Sequence, residues 1–239
     1  MSIKKRIVCL ANSSMPGGRC VAGKELINNK PAGWIRILGK VGKKGGVPWD
    51  EFMPIQLGHI IDVALDKPAP NEHQPGEHQR ENWLLDTTTS PPRWKGEGCR
   101  WSAPAQLLDY PTGPLWVNER STPGKKNDRV SSSQIDGIKN SLYFIRVAEL
   151  TLAICEGKMI KGKKAKDQVI GCFYYDNIEY KLVVTDPNYQ DLVSKKLNGG
   201  SRKIGECLLT VSLAGRTYKN SPCYKLIAAI IPRDKTSRI

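Results

Sequence analysis

Residues 169–187 read VIGCFYYDNIEYKLVVTDP. The segments 169–175 and 178–185 are rich in β-branched and aromatic residues, which fit a pleated, half-buried surface. Between them, Asp176-Asn177 tolerates the backbone of a tight two-residue turn. The stretch is therefore a β-hairpin. It closes on Asp186-Pro187, a helix-start signal: Asp accepts backbone N–H groups as N-cap, and Pro is preset for the first helical position. A short helix over 188–197 follows in this reading. Lys195 and Lys196 sit near its negative end, and Asn198-Gly199-Gly200 stops it.

Before the hairpin, residues 141–155 form one long bent strand or two, and a basic loop over 158–166 follows. Two further strands follow the helix, at 207–213 and 223–231. The order β-β-β-α-β-β is that of an oligonucleotide/oligosaccharide-binding (OB) barrel. The first half repeats it less cleanly. Strands are expected at 5–11, 19–26 and 33–38, then a Gly/Lys loop at 39–46, a helical turn at 49–52, and strands at 58–65 and 81–86. Residues 87–140 are rich in Pro, Gly and Ser and read as a long connection with a short helix near 103–108. The expectation is an all-β fold with minor helices: two OB-like five-stranded barrels in one compact unit. Residues 1–130 hold the first barrel with its Pro/Gly-rich connection, and 131–239 hold the second.

The 239 residues carry a net charge of +14, which favours polyanionic partners, most often nucleic acid. Residues 1–70 hold 11 Lys/Arg against 5 Asp/Glu and residues 131–239 hold 18 against 10, whereas 71–130 are balanced. Two basic blocks thus flank a neutral middle. The seven cysteines show no C-x-x-C spacing, so neither a zinc ribbon nor a disulfide framework is indicated. The first residues lead into only a short apolar run, and the longest such run, 226–231, is far too short to span a bilayer. A soluble, cytoplasmic protein without membrane contact is expected.

Several motifs are incomplete. From Gly18 to Lys24 the chain reads G-x-x-x-x-G-K, the spacing of a phosphate-cradling loop. Glu25 stands where a Mg²⁺-binding hydroxyl belongs, and turn residues follow where a helix is required. Nucleotide hydrolysis is not expected there. Two readings stay open: Arg19 and Lys24 beside glycines that admit an anion, or a β-turn with basic side chains. His59, His73 and His78 lack ligand spacing, and no metal or other cofactor is expected. Asp167 with Glu179-Tyr180-Lys181 resembles the D…E-x-K pattern of metal-dependent nucleases, but on a barrel hairpin Glu179 and Lys181 form an ordinary surface pair. Cys20 has no histidine near it in sequence to activate it. All six tryptophans (34, 49, 83, 94, 101 and 116) precede residue 117. Trp34 near Arg36 and Trp94 between Arg93 and Lys95 have the composition of base-stacking surfaces.

The stretches KRIVCLANS (5–13), GRCVAGKE (18–25), GWIR (33–36), HQREN (78–82), LWV (115–117), NDRV (127–130), VTDP (184–187), LTVSL (209–213) and CYKLIAAI (223–230) together resemble the bacterial dual OB domain-containing proteins. The resemblance covers nearly the whole chain in order. Ile37-Leu38-Gly39 departs from relatives that often carry Pro after the Gly-Trp-Ile-Arg stretch. The family implies two OB-like barrels in one unit and a nucleic-acid-related or nucleotide-sensing role in bacterial–phage conflict. It implies no particular reaction.

The first functional reading is a nucleic-acid-binding module, single-stranded DNA or RNA favoured. Arg19, Lys24 and Arg36 would contact phosphates. Trp34 would stack a base or pack beneath the site. Asn12, Gln79, Glu81 and Asn82 would make polar contacts, and Asp128 and Arg129 would complete the cleft. The second is a sensor or enzyme acting on a small nucleotide or modified base, with the same polar cluster lining a pocket. The third is a protein partner in a larger complex. No catalytic set is complete, which tilts the expectation toward binding.

Overall fold

The computed structural model describes residues 2–15, 17–39, 45–52, 54–70, 79–88, 93–94, 104–119, 121–157, 159–160, 162–190, 200–215 and 221–233. The first half holds β1 (Ile3–Met15), β2 (Gly18–Ile27), β3 (Lys30–Leu38), α1 (Trp49–Phe52), β4 (Ile60–Pro68), β5 (Asn82–Leu85) and the short β6 (Arg93–Trp94). A 3-10 turn (Pro104–Leu107), β7 (Arg129–Val130) and a second 3-10 turn (Ile135–Gly137) mark the connection. The second half holds β8 (Leu142–Cys155), β9 (Met159–Ile160), β10 (Lys163–Lys164), β11 (Gln168–Tyr175), β12 (Ile178–Val184), α2 (Pro187–Gln190), β13 (Ser201–Leu213) and β14 (Cys223–Pro232). The helix expected over 188–197 begins where Asp186-Pro187 places it, and residues 191–199 lie outside the described residues. Most of the 39–46 loop, at residues 40–44, also lies outside them. Asp176 and Asn177 both take left-handed backbone, at φ 48° and 60°, as the hairpin turn requires.

Both halves close into barrels of the same order. In the first, β1 pairs with β2 and β4, β2 with β3, β4 with β5, and β3 with β5 in parallel. In the second, β8 pairs with β11 and β13, β11 with β12, β13 with β14, and β12 with β14 in parallel. Each circuit therefore runs first–second–third–fifth–fourth and back to the first. The helices α1 and α2 occupy the same place, between the third and fourth strands. Closure removes the open sheet edge that would otherwise seek a partner.

Alternation along the strands fills each barrel. Ile7, Cys9, Val21, Ile35, Ile37, Ile61, Val63 and Leu65 pack inside the first, with Phe52 of α1 among them. Val147, Leu150, Leu152, Phe173, Tyr180, Leu182, Leu209 and Ile227 pack inside the second. The connection also enters the second core through Leu115, Trp116 and Val130. It is pinned there by Leu115 N, which donates to Tyr180 Oη at 2.7 Å, and by β7 pairing with β14. Among the described residues, no helix is long and apolar enough to cross a membrane.

The glycines of the G-x-x-x-x-G-K stretch have a structural cause. Gly23 faces β1 so closely that a Cβ would stand 2.0 Å from Val8 O. At Gly18, with φ +153°, a Cβ would stand 2.2 Å from Val47 O. Both positions exclude a side chain because another backbone occupies the space.

Candidate nucleic-acid interface

An OB barrel presents ligands to the face of its second and third strands and to the loops joining strands one to two and four to five. The two barrels of this protein treat that face differently. In the first barrel the outward residues of β2 and β3 are turned against the second barrel. Ala22 packs with Ala11, Leu142, Ala228 and Trp34. Leu26 belongs to a cluster with Val8, Leu10, Leu107, Phe144, Leu208 and Ile231. Burying each large apolar side chain here contributes about 1.5–3 kcal/mol. On the second barrel's side these residues come from β8, β13 and β14.

The polar residues singled out from sequence converge on this seam. Lys24 and Trp34 both donate to Asp109: Lys24 Nζ to Oδ1, and Trp34 Nε1 to Oδ2 at 3.0 Å. Asp109 also accepts from Phe144 N at 2.8 Å, so a carboxylate on the connection clamps both barrels. Arg36 is 3% exposed. Its Nη2 donates to Ser212 Oγ across the seam at 3.1 Å, and its Nη1 lies 3.4 Å from Glu81 Oε1 and 3.5 Å from Asn82 Oδ1. Glu81 accepts from Ser141 Oγ, and Gln79 Nε2 donates to Leu213 O at 3.3 Å. Asn82 Nδ2 donates to Gln79 Oε1 at 3.1 Å. Asn12 holds the turn after α1 by donating to Phe52 O and Ile55 O. Arg19 Nη1 donates to Asn12 O at 3.1 Å. Burial lowers the Arg19 pKa, and the nearby Asp186 carboxylate opposes that.

Asp128 and Arg129 stand apart from this group. They lie on the connection where it runs beside β14, and Lys225 N donates to Asp128 O at 2.8 Å. Beneath them Lys225 is 1% exposed. Its ammonium donates to Asn118 Oδ1 at 2.7 Å and lies 5.4 Å from the Tyr180 ring centroid. Burial pushes its pKa down to about 7, against the pull of Asp128 and Glu119.

The second barrel's equivalent face, β11 and β12, points outward. Phe173, Tyr180 and Leu182 turn into the core, so Cys172, Tyr174, Glu179 and Lys181 turn out. Register aligns Lys203 with Thr151, Thr151 with Cys172, and Cys172 with Lys181. This row crosses four strands, a span of about 14 Å at the usual strand spacing. Lys126 extends it, since the connection bridges to β12 at Lys126–Lys181. The side chains of Lys203, Lys181 and Lys126 are 69%, 41% and 50% exposed. One step along, Tyr174 is 64% exposed. Glu149 pairs with Lys203, while Glu179 lies 2.5 Å from Lys126 and 3.5 Å from Lys181.

The loops differ in the same sense. In the first barrel, strands one and two are joined by residues 16–17 alone. In the second the corresponding loop, 156–167, contains five lysines, of which Lys164 and Lys166 are exposed. Sequence reasoning placed Glu179 and Lys181 on the solvent face but missed Asp109, Lys203, Lys225 and the exposure of Tyr174. Only alternation along the hairpin marked Tyr174, and nothing local marked Asp109.

The remaining motifs find structural roles. Asp167 and Glu179 sit at opposite ends of the hairpin, since Gln168 aligns with Cys155 whereas Glu179 aligns with Tyr174. They cannot share a metal ion. Among the described residues no group of three metal-ligating side chains forms. His59 accepts from Gln56 N at 3.1 Å, and His73 and His78 lie outside the described residues. So do Lys95, Trp101 and the side chains of Arg93 and Trp94.

A family model described as a Dual OB-containing domain matches residues 5–230. No curated protein matches the chain. The matched span takes in both closed circuits, the connection and the seam between them, and the chain belongs to the dual OB-containing domain family.

Proposed function

We propose that this protein binds single-stranded nucleic acid on the outward face of β11 and β12. The observation that carries the reading is the cross-strand row Lys203–Thr151–Cys172–Lys181, with Tyr174 one step along it. Lysines in such a row track phosphates, and an exposed aromatic ring stacks a base without regard to sequence. The choice of face follows the rule for the fold class, and the net charge of +14 supplies long-range attraction. Glu149 and Glu179 hold the lysines in place, and exchanging such exposed pairs for phosphate costs little.

In this reading Asn12, Arg19, Lys24, Trp34, Arg36, Gln79, Glu81 and Asn82 set the two barrels in register, and Asp128 and Arg129 secure the connection. Contact with the polymer falls to Lys126, Lys181, Lys203, Tyr174 and the 156–167 loop. A cytoplasmic setting and a place in bacterial defence against phage belong to the same proposal.

The test is fluorescence anisotropy with labelled oligothymidylate, oligouridylate and a duplex of equal length over a salt series. Three to four phosphate contacts give a slope of log K against log salt of about −2 to −3 for a single strand. Absence of salt-dependent binding to every polymer overturns the reading. A thermal shift with mononucleotides alone would move the function to a small-nucleotide sensor.

A further inference from the structure

We infer that Asp128, Thr122 and Lys225 hold a buried water molecule that fixes the turn presenting Lys126 to the basic row. The inference rests on the binding reading above and extends it to residues beneath the face.

Residues 121–128 form a turn closed at its neck. Thr122 N donates to Asp128 Oδ1 at 2.8 Å, and Asn127 N donates to Ser121 Oγ at 2.9 Å. Inside the turn, Lys125 N donates to Thr122 O at 2.9 Å. The outer side of the turn meets β12. Lys126 N donates to Lys181 O at 3.3 Å, and Lys181 N donates to Lys126 O at 3.0 Å. Asn127 Nδ2 donates to Glu179 O at 2.8 Å. The neck therefore decides where Lys126 stands beside Lys181.

Beneath the neck, polar groups converge without meeting. Asp128 is 1% exposed, and its Oδ2 has no hydrogen-bond partner among the described residues. The buried Thr122 Oγ1 has none either. Lys225 lies opposite Asp128, since Lys225 N donates to Asp128 O at 2.8 Å. Asn118 Oδ1 takes one N–H of the Lys225 side chain at 2.7 Å. Charged or neutral, that amine keeps at least one more N–H to give. The Asp128 carboxylate attracts it more strongly than Glu119 does, yet Oδ2 receives no bond from it. The two groups are close and separated.

One water satisfies all of them. It accepts from Lys225 Nζ and donates to Asp128 Oδ2 and Thr122 Oγ1. Three hydrogen bonds are usual for a buried water. The charges select a neutral ligand: an anion would meet Asp128, and a metal ion would meet the Lys225 ammonium. Without the bridge, the Asp128 carboxylate would turn toward Lys225, release Thr122 N and open the neck.

The experiment has two readouts on the full chain. A crystal structure is expected to show one ordered water within about 3.2 Å of Lys225 Nζ, Asp128 Oδ2 and Thr122 Oγ1. A direct bond from Lys225 Nζ or Thr122 Oγ1 to Asp128 Oδ2 overturns the inference. The second readout is fluorescence anisotropy with labelled oligothymidylate over a salt series. It compares the wild type, Thr122→Val, Thr122→Ser, Lys126→Ala and the double variant Thr122→Val with Lys126→Ala. Thr122→Val keeps the shape and removes the hydroxyl. It is expected to make the salt slope shallower by about 0.7, one phosphate contact on a single strand. Thr122→Ser restores the slope. The double variant binds no more weakly than Lys126→Ala alone, because both changes remove the same contact. Wild-type binding by Thr122→Val, or losses that simply add, overturn the inference and leave the binding reading standing. Absence of salt-dependent binding by the wild type overturns both. A thermal melt of each variant separates a lost contact from unfolding.

Discussion

Replacing Asp109 by Ala removes the clamp between the barrels. Its carboxylate accepts from Lys24 Nζ, from Trp34 Nε1 at 3.0 Å and from Phe144 N at 2.8 Å. Each neutral donor left without an acceptor costs about 1–3 kcal/mol when buried. Stranding the Lys24 ammonium, whose side chain is 10% exposed, would cost about 3–5 kcal/mol if water were fully excluded. Asp109 is itself 21% exposed, so water reaches the gap. The three costs then merge to about 3–5 kcal/mol in total rather than their sum. Asp109→Asn keeps an acceptor oxygen and is expected to cost about 1–2 kcal/mol. Lys24→Met combined with Asp109→Ala should be less destabilising than the two single costs added, because no charge is stranded. The assay is guanidinium unfolding followed by tryptophan fluorescence and by far-ultraviolet circular dichroism. The wild type is expected to unfold in one transition by both probes. Asp109→Ala is expected to have a lower midpoint, and the two probes should separate as the barrels lose their coupling. A shift below about 0.5 kcal/mol, the size of an ordinary surface substitution, would refute the seam as a joint that holds the molecule together.

Three other outcomes follow from the same geometry. Lys225 binds its proton less well in the folded state, with a pKa of about 7, than in an unfolded chain at about 10.4. Between those values the unfolded state holds more protons, so stability rises with pH, by up to about 1.4 kcal/mol per unit. Melting of the wild type against Lys225→Met should show this rise between pH 7 and 8.5 in the wild type alone; parallel curves would contradict it. Above pH 9 the sign reverses. The buried Cys9 and Cys207 thiols are pushed up to about 12, so the unfolded state loses those protons first; Cys207→Ala should flatten that decline. Gly23→Ala, with its Cβ 2.0 Å from Val8 O, should destabilise by more than about 3 kcal/mol through strand separation, visible as a lowered melting temperature with or without ligand; a variant that melts normally would mean the strands can part without cost.

Much of the fold is legible in particular residues. Asp176-Asn177 can only be a turn between two β-rich runs, and Asp186-Pro187 can only open a helix, which fixes the order that closes the second barrel. The candidate site is harder to read for a physical reason. A seam between two barrels and a nucleic-acid face use the same vocabulary of Trp, Lys, Arg and Asn. Lys24, Trp34 and Arg36 lie on the strands where a ligand face belongs, and their composition does not say whether a polymer or a second barrel covers them. Their acceptors, Asp109 and Ser212, lie 85 and 176 residues away in sequence, beyond any local pattern. The basic row was illegible for the same reason, because Lys203, Cys172 and Lys181 meet only through strand register.

In the proposed reading the second barrel's face is open for ligand while the first barrel's is closed. Hydrogen exchange measured with and without a saturating oligothymidylate tests it most directly. With ligand on the second barrel, exchange slows in β11, β12 and residues 156–167, while β2 and β3 are unchanged. Slowed exchange in β2 and β3, with β11 and β12 unaffected, would contradict it.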